Sequence, residues 1–326
     1  MRILAFGLTF LLCACASAPS ENKQNDTPEI SSSENDDFLS LEISSDTLII
    51  KEHLTLLTKT DLPRNHENIR QLDSTAAYIY RHFSEFADTT YYQIFHVGEK
   101  VYRNVICSFG TDHNQQVIVG AHYDVCGNQE GADDNASGIV GLLELARLLD
   151  NQPLSKQVDL VAYTLEEPPY FRTDAMGSYV HAESLKNSNA DVAGMVCLEM
   201  IGYYSDASNS QEYPDPRMAD VYGTSGDFIS IINRDKPDNF NDQFYTNFVD
   251  AKRIKTERIS APESVAGVDF SDHLNYWKFG YSALMITDTA FYRNHNYHNN
   301  SDTMETLDLK RMSRVIESVC YALLQM

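Results

Sequence analysis

The sequence predicts an α/β protein built around a mostly parallel or mixed central sheet. Four short apolar runs, rich in β-branched residues, are typical of strands buried on both faces; they span 117–121, 158–165, 193–198 and 282–288. Apolar residues recur at helical spacing between these runs, and strands that alternate with helices indicate an α/β fold. The chain of 326 residues is long enough for one large core or two smaller ones.

The other elements follow from local periodicity. Apolar residues within 61–86 have helical spacing and predict a helix. The segments 91–97 and 101–109 flank a glycine and alternate, which predicts an antiparallel pair of strands. Residues 137–150 predict an amphipathic helix, for which Ser137 provides a small N-terminal cap. Further helices are predicted at 178–187, 226–234, 242–253 and 307–322.

The amino terminus has the layout of an exported protein. Residues 1–16 contain one Arg, then an apolar run too short for a bilayer, which needs about 20 residues, and then small residues, as in a secretory signal peptide. The LCAC ending resembles a bacterial lipoprotein box, in which Cys15 is lipidated; ordinary cleavage after Ala16 or Ala18 is the alternative. We therefore predict location in the bacterial cell envelope, with membrane contact through a lipid on Cys15.

A polar stretch separates this leader from the folded body. Residues 17–37 contain almost no large apolar side chain and predict a disordered tether, because they cannot bury enough surface to offset ordering entropy. We expect one domain over 38–326. Its four cysteines are too sparse for a disulfide framework, although two of them could pair.

The charge balance excludes one class of partner. Lys and Arg total 25 against 47 Asp and Glu, which gives a formal net charge of −22. Nucleic acid binding needs a cationic face, and so few basic residues among so many acids rarely supply one. The acidity fits an exported protein or one that attracts cations.

Polar side chains follow each of the four predicted central strands. Open α/β sheets bind ligands beyond the carboxyl ends of their strands, so we expect these side chains to share one edge. Each has an ordinary structural explanation when taken singly, but several acids together repel one another unless a cation neutralises them. A mixed set of His and carboxylates suits zinc or a similar divalent ion. The candidates after the strands are His122, Asp124, Glu166, Glu167, Glu199 and His298, and the residues Asp133, Asp134 and Asn135 lead into the predicted helix at 137.

Six short blocks together resemble the dinuclear zinc aminopeptidases, metallopeptidase family twenty-eight. The resemblance covers roughly residues 60–326 in order and spacing. It implies a three-layer sandwich of the phosphorylase/hydrolase-like zinc-peptidase type, and an enzyme that releases N-terminal amino acids from peptides. The blocks are GAHYD (120–124), GADDNASG (131–138), EE (166–167), LEM (198–200), SDH (271–273) and YHNNSDT (297–303).

The resemblance also implies a ligand set for two Zn²⁺ ions, although other divalent ions are possible. His122 and Glu199 would hold one ion, Glu167 and His298 the other, and Asp134 would bridge them. Many relatives have Asp where this chain has Glu199, and both residue types occur in the family.

The resemblance assigns catalytic roles to two further acids. Asp124 would accept the second ring proton of His122, and Glu166 would be the general base that activates a metal-bridged water. Relatives have a non-proline cis peptide after the bridging acid, here Asp134–Asn135. The substrate would be a peptide with a free amino terminus.

Other residues are candidates for site support or substrate contact. Asp272 and His273 match a family block, although His273 has no ligand role there, and a purely structural role is as good an expectation for both. Arg172 is a candidate for the substrate mouth. Tyr203 could help to shape a pocket for an apolar side chain. It begins residues 203–270, a stretch rich in Tyr, Asp and Asn that we expect to be a long excursion beside the site.

Three other functions compete with the aminopeptidase interpretation. A glutaminyl cyclase of the same fold resembles a single-zinc site that does not need the equivalent of His122. A carboxypeptidase with the same dizinc core would need basic residues to bind the substrate carboxylate, and Arg172 is the obvious candidate nearby. A non-catalytic lipoprotein should have lost a ligand or the general base, and none is missing.

Overall fold

One mixed sheet of eight strands organises residues 43–326, the part of the chain that the computed structural model describes. The strands are β1 (Thr89–Val97), β2 (Lys100–Phe109), β3 (Gln116–His122), β4 (Gln157–Tyr163), β5 (Val192–Glu199), β6 (Ile229–Arg234), β7 (Thr256–Ala261) and β8 (Ala283–Thr287). Their order across the sheet is β1-β2-β4-β3-β5-β8-β6-β7. The predicted signal peptide with Cys15, the predicted tether and the predicted start of the body at residue 38 lie outside the described residues.

The centre of the sheet is parallel, as the continuously apolar runs predicted. Strands β4, β3, β5 and β8 are neighbours in that order, and each adjacent pair is parallel. Their carboxyl ends therefore lie at the same edge. The flanks reverse direction: β2 is antiparallel to β4, and β6 is antiparallel to β8.

Helices cover both faces of the sheet and complete a three-layer α/β architecture. The helices are α1 (Thr47–Thr58), α2 (Ile69–Phe86), α3 (Gly138–Leu149), α4 (Gly177–Ser188), α5 (Ala219–Tyr222), α6 (Asn239–Asp250), α7 (His273–Lys278) and α8 (Leu309–Leu324). One apolar core joins the sheet to α1, α2, α3, α6 and α8. A second core joins the opposite face to α4 and α7, and contains Trp277.

The prediction of a helix at 226–234 was wrong, because this segment forms strand β6. Its sequence is short and rich in isoleucine, and Ile231 and Ile232 are buried within the sheet between β8 and β7. A β-branched run of this length has the strand preference that the helical interpretation overlooked. Edge strand β7 was missed because most of it is only half-buried and its sequence mixes apolar and charged residues.

Helix α3 differs from the predicted amphipathic helix. All of its residues except Arg147 are buried, because it lies between the sheet and other helices. Ser137 does not cap it. Instead the Ser137 hydroxyl donates to the carbonyl oxygen of Asp133 at 2.7 Å and accepts from the backbone N–H of Ile201 at 3.0 Å. The hydroxyl thus joins the turn before α3 to the segment after β5.

The sequence left the pairing of the cysteines undecided, and the structure describes both the cysteines and the length of the helices. Within the described residues, all four cysteines are free; they are Cys107, Cys126, Cys197 and Cys320. In that same part of the chain, every helix is too short or too polar to cross a membrane.

A buried arginine fixes the segment that leads into the carboxyl edge of the sheet. The guanidinium group of Arg64 donates to the backbone carbonyl oxygens of Leu57 (2.5 Å), Glu130 (2.8 Å), Tyr123 (3.0 Å) and Gly131 (3.0 Å). Burial lowers its pKa to about 10, so the group stays charged at neutral pH. One side chain therefore joins the end of α1 to the segments on both sides of residues 124–129.

We expect Arg64→Met to lower the free energy of unfolding by about 3 kcal/mol or more, because it leaves several buried carbonyl oxygens without donors. Urea unfolding followed by circular dichroism measures this change. Arg70→Met, at an exposed position on α2, is the matched control and should change stability by about 0.5 kcal/mol or less. Equal effects for the two variants would contradict the role assigned to Arg64.

Candidate metal centre

The sequence-predicted acids and histidines meet at the carboxyl edge of the parallel strands. His122 is the last residue of β3, and Glu199 is the last residue of β5. Glu166 and Glu167 follow the end of β4 by a few residues. Two further candidates lie in loops: Asp134 in the turn before α3, and His298 in the loop after β8. The structure thus brings together six side chains from between positions 122 and 298.

Two groups of side chains share the carboxylate of Asp134. The Nε2 atom of His122 lies 3.3 Å from Asp134 Oδ1 and 3.4 Å from Glu199 Oε2. The Nε2 atom of His298 lies 3.1 Å from Asp134 Oδ2 and 3.3 Å from Glu167 Oε2. The two oxygens of Asp134 therefore face different histidines, which is the arrangement a bridging carboxylate needs.

Burial and missing hydrogen bonds show that these groups fit divalent cations. His122, Asp134, Glu167 and Glu199 are all buried, and the side chain of His298 is 28% exposed. Among the described residues, Asp134 Oδ2 and Glu167 Oε1 are buried without a hydrogen-bond partner. Buried carboxylate oxygens are costly in that state, and a cation would compensate them.

The protonation of the same groups depends on burial and on one another. Burial raises the pKa of Glu167 to about 8. Burial acts in the same direction on Asp134, but the neighbouring rings of His122 and His298 outweigh it and lower the pKa of Asp134. For His298, burial lowers the pKa, while Asp134 and Glu167 outweigh it and raise the pKa to about 10. Positive charge is therefore strongly favoured between these carboxylates.

Cys126 is a further candidate ligand for the group of Glu167 and His298, and the sequence did not predict it. The thiol of Cys126 and ligand atoms of Glu167 and His298 all lie within 4.8 Å of one another. Burial, and then the nearby carboxylates, raise the pKa of this thiol to about 11. The sequence offered only one signal, which is the position of Cys126 two residues after Asp124.

Asp124 supports both sides of the site. The Nδ1 atom of His122 lies 3.2 Å from the backbone carbonyl oxygen of Asp124 and 3.6 Å from its carboxylate. The carboxylate accepts hydrogen bonds from the backbone N–H groups of Glu166 and Glu167, at 3.2 Å each. Asp124 therefore fixes the ring of His122 and the backbone that carries the paired glutamates.

Two polar side chains donate hydrogen bonds to the carboxylate of Glu199. The hydroxyl of Ser271 donates to Glu199 Oε2 at 2.7 Å, and the amide of Asn135 donates to the same oxygen at 3.2 Å. Asn135 also donates to the carbonyl oxygen of Leu198 at 2.9 Å. The peptide bond Asp134–Asn135 is cis, as the family resemblance implied. The sequence placed Asn135 before the helix at 137 and Ser271 in the block SDH, but it assigned neither residue to Glu199, because only the fold brings them there.

A buried aspartate fixes the backbone of the bridging residue. Asp302 accepts hydrogen bonds from the backbone N–H groups of Asp133 (2.9 Å) and Asp134 (3.1 Å). Asp133 in turn accepts from the amide of Asn294 at 2.7 Å and from the backbone N–H of Gly202 at 3.0 Å. Asp302 belongs to the block YHNNSDT, and that block was the signal that could have identified it.

Glu166 is a member of neither group around Asp134, although ligand atoms of Glu166, His122 and Glu167 lie within 4.8 Å of one another. Its Oε2 atom lies 3.9 Å from His122 Nε2, and burial raises its pKa well above the ordinary value. Asp272 is fully buried, neither of its carboxylate oxygens has a hydrogen-bond partner among the described residues, and burial raises its pKa to about 7. His273 instead donates to the carbonyl oxygen of Val268 at 2.8 Å if Nε2 carries the proton.

Arg172 and Tyr203 make contacts within the protein. The guanidinium group of Arg172 pairs with Asp269 at 2.6 Å and lies over the rings of Phe171 (5.3 Å) and Phe270 (5.4 Å). The backbone N–H of Tyr203 donates to Asp288 at 2.9 Å. Arg172 thus joins the loop after β4 to the loop before α7.

A cavity of about 610 Å³ opens beside these groups. Glu199 and Tyr297 both line it, and Tyr297 stacks on His298 with ring centroids 3.8 Å apart. Phe291 also lines it, and much of the wall comes from the predicted excursion 203–270. A ligand in this cavity would therefore reach the neighbourhood of both histidine groups.

Comparisons with known sequences place the chain among described proteins. The model of a family described as Peptidase family M28 matches residues 104–323. The uncharacterized protein YfbL of Escherichia coli is 41% identical over 278 residues, which cover 83% of this chain and 85% of that protein. Leucine aminopeptidase 1 of Ajellomyces capsulatus is 27% identical over 225 residues, or 64% of this chain. The chain spans about half the length of that aminopeptidase, 52%.

Two solved structures share the fold. LapB from Legionella pneumophila aligns with a TM-score of 0.68 and 21% identity, over 86% of this chain and 72% of that one. The glutaminyl cyclase of Porphyromonas gingivalis aligns with a TM-score of 0.65 and 17% identity, over 86% of this chain and 98% of that one. These similarities confirm the predicted α/β architecture.

We expect Ser271→Ala to weaken zinc binding by about 10- to 100-fold, because the Glu199 carboxylate loses its shortest hydrogen bond. Competition with a chromophoric chelator measures the affinity without reference to turnover. Ser188→Ala, at an exposed position on α4, is the matched control. An affinity for zinc that is unchanged by Ser271→Ala would show that Ser271 does not position Glu199.

Proposed function

The chain belongs to peptidase family M28, and on that basis we propose that it is a metal-dependent aminopeptidase that removes N-terminal residues from peptides. The relative named leucine aminopeptidase supports a substrate with a free amino terminus. One observation carries the proposal: the carboxylate of Asp134 has one oxygen beside His122 and the other beside His298. A shared carboxylate between two ligand groups suits a site for two metal ions.

The ligand assignment follows the two groups around Asp134. His122 and Glu199 would hold one ion, Glu167 and His298 the other, and Asp134 would bridge them. Zinc suits these nitrogen and oxygen ligands, although other divalent ions share the preference. When bound, two such ions supply Lewis acidity, which lowers the pKa of a water and polarises the scissile carbonyl.

Glu166 would perform the proton transfers. Its carboxylate is buried beside His122 without belonging to either ligand group, so it is placed to accept a proton from the attacking water. The same carboxyl group then donates that proton to the leaving amine. Asp124 assists by holding the backbone N–H groups of Glu166 and Glu167, which keeps the base and the neighbouring ligand in fixed positions.

The charge of the site favours an amino terminus over a carboxyl terminus. Acidic side chains dominate this edge of the sheet, and an α-ammonium group is attracted to them. A carboxypeptidase would need a cation for the substrate carboxylate, but Arg172 is already paired with Asp269. These features support release of the first residue of a peptide.

A glutaminyl cyclase is the second candidate function. The shared fold with the Porphyromonas gingivalis enzyme supports it. Against it, His122 lies in a buried group with Asp134 and Glu199, which supports a second metal that a single-zinc cyclase would not need. A non-catalytic role has the least support, since every candidate ligand and the candidate base are present.

We also propose that the protein is exported and is held at the bacterial cell envelope by a lipid on Cys15. The sequence of residues 1–16 supports this location, with its short apolar run and LCAC ending.

Metal counting and a substrate panel test the proposed function. We expect about two zinc ions per chain by elemental analysis, because two ligand groups share Asp134. The zinc-loaded protein should hydrolyse leucyl p-nitroanilide and unblocked peptides; a chelator should abolish the activity, and zinc should restore it. About one zinc per chain, with conversion of N-terminal glutamine to pyroglutamate and no peptide hydrolysis, would establish the cyclase instead.

We expect Glu166→Gln to lower kcat by about 100-fold or more while both metal ions are retained, because the amide cannot accept the proton from water. Steady-state kinetics and elemental analysis measure the two quantities on the same preparation. Glu183→Gln, at an exposed position on α4, should behave like the parent enzyme. Near-parental turnover in Glu166→Gln would disprove the assignment of the base.

A further inference from the structure

The thiol of Cys126 lies on the side of the site that holds Glu167 and His298. Its Sγ atom, a carboxylate oxygen of Glu167 and a ring nitrogen of His298 all lie within 4.8 Å of one another. Asp134 adds a further oxygen, because its Oδ2 atom lies 3.1 Å from His298 Nε2. This group therefore brings one sulfur, one nitrogen and two carboxylates together from four separate segments of the chain.

Two buried carboxylate oxygens in the group lack a donor. Glu167 is 4% exposed and Asp134 is 2% exposed, and among residues 43–326 neither Glu167 Oε1 nor Asp134 Oδ2 has a hydrogen-bond partner. Cys126 is free and half-buried, whereas the other cysteines of that part of the chain are buried. A cation bound between the sulfur and these carboxylates would compensate the burial of both oxygens.

Hydrogen bonds on both sides of Cys126 fix the backbone that carries it. The backbone N–H of Val125 donates to the carbonyl oxygen of Arg64 at 3.0 Å. The side-chain amide of Asn65 donates to the carbonyl oxygen of Gly127 at 2.5 Å. Both neighbours of Cys126 are therefore held, so the thiol needs little reorganisation of the chain before it can coordinate an ion.

The dimensions of the group suit one zinc ion. Zinc lies about 2.3 Å from a thiolate sulfur and about 2.0 Å from an imidazole nitrogen or carboxylate oxygen, so two tetrahedral ligands lie about 3.5 Å apart. The separations within the group, all of 4.8 Å or less, exceed that distance by about 1.3 Å at most. Small side-chain rotations can supply a shift of this size.

The thiol also makes the two sides of the site unequal. Three protein ligands and one open position are typical of a catalytic zinc ion, and that is the number on one side, where the group consists of His122, Asp134 and Glu199. Four protein ligands complete the tetrahedron of a zinc ion, and that is the number on the other side, with Cys126, Asp134, Glu167 and His298.

We propose that Cys126 is a sulfur ligand of the metal ion held by Glu167 and His298, and that it makes this side of the site selective for soft divalent ions. Thiolates prefer Zn²⁺ and Cd²⁺, whereas Mn²⁺ and Mg²⁺ prefer oxygen ligands. The thiol releases its proton to solvent when it coordinates the ion. This inference rests on the two-ion site of the proposed function, and it gives one of the two ions a ligand and a selectivity that the other lacks.

Titration of the metal-free, reduced protein with Co²⁺ tests the inference without any measurement of turnover. A cobalt–sulfur bond produces an intense near-ultraviolet charge-transfer band, which nitrogen and oxygen ligands do not produce. We expect this band in the wild-type protein, with the amplitude of one sulfur-bound ion per chain. Cys126→Ser should lack the band, and Cys320→Ala, which removes a thiol on α8 outside the ligand groups, should keep it.

Two spectroscopic results would overturn the inference and leave the proposed function intact. One is two bound Co²⁺ ions per wild-type chain without the sulfur band. The other is a band that persists in Cys126→Ser. The wild-type spectrum decides the question if this variant does not fold.

Metal competition tests the selectivity. Competition with a chromophoric chelator should show that Cys126→Ser lowers the ratio of Cd²⁺ affinity to Mn²⁺ affinity by about tenfold or more, because only the soft ion loses a preferred ligand. Cys320→Ala should keep the parental ratio. An unchanged ratio in Cys126→Ser would overturn the selectivity assigned to the thiol.

The number of bound ions separates this inference from the proposed function. One Co²⁺ per chain with the sulfur band would support the ligand role of Cys126 and contradict the two-ion site. Two ions with the band, but no hydrolysis of leucyl p-nitroanilide by the zinc-loaded protein, would support Cys126 and contradict the aminopeptidase. A protein that binds no metal ion would overturn both.

Discussion

The constraint on which this structure depends is the concentration of carboxylates at one buried edge of the sheet. Asp124, Asp134, Glu166, Glu167 and Glu199 are all buried there, and ionised carboxylates in such surroundings need hydrogen bonds or positive charge. The protein supplies donors to several of their oxygens. Backbone N–H groups donate hydrogen bonds to Asp124, and the side chains of Ser271 and Asn135 donate to Glu199. The oxygens left without a donor are Asp134 Oδ2 and Glu167 Oε1, and a bound cation would compensate their burial.

The same constraint explains interactions away from the ligand groups. A carboxylate can bridge two sites only if its backbone is held still, and Asp302 holds the backbone N–H groups of Asp133 and Asp134. Arg64 then satisfies four carbonyl oxygens in the segments that lead into this turn. Neither residue belongs to a ligand group, yet both restrict where the ligands can lie. The precision of the site is therefore distributed over loops from distant parts of the chain.

The sequence predicted the candidate metal ligands better than the residues that hold those ligands in place, and the reason is physical. Buried parallel strands are continuously apolar, so their ends are visible, and His122 and Glu199 stand at such ends. Strand β7 is mixed in polarity and escaped notice. Ser271 and Asn135 could not be assigned to Glu199, because nothing local marks a serine or an amide as the donor to a distant carboxylate. Arg172 has a local signal as a free cation, but the fold pairs it with Asp269.

The strand direction reverses at β6, between the strands that lead to the candidate ligands and the strands that line the far part of the cavity. The parallel strands β4, β3 and β5 end in polar side chains, and β8 beside them leads through a loop to His298, so this half supplies the chemistry. Strands β6 and β7 run antiparallel to β8, so their carboxyl ends lie at the opposite edge of the sheet, and Ile232 and Ile259 line the cavity. The lining of the cavity thus includes one candidate metal ligand of the described chain, Glu199. Ile232 and Ile259 line the cavity without belonging to a ligand group, so a substitution on β6 or β7 would alter the cavity and leave the ligand groups unchanged.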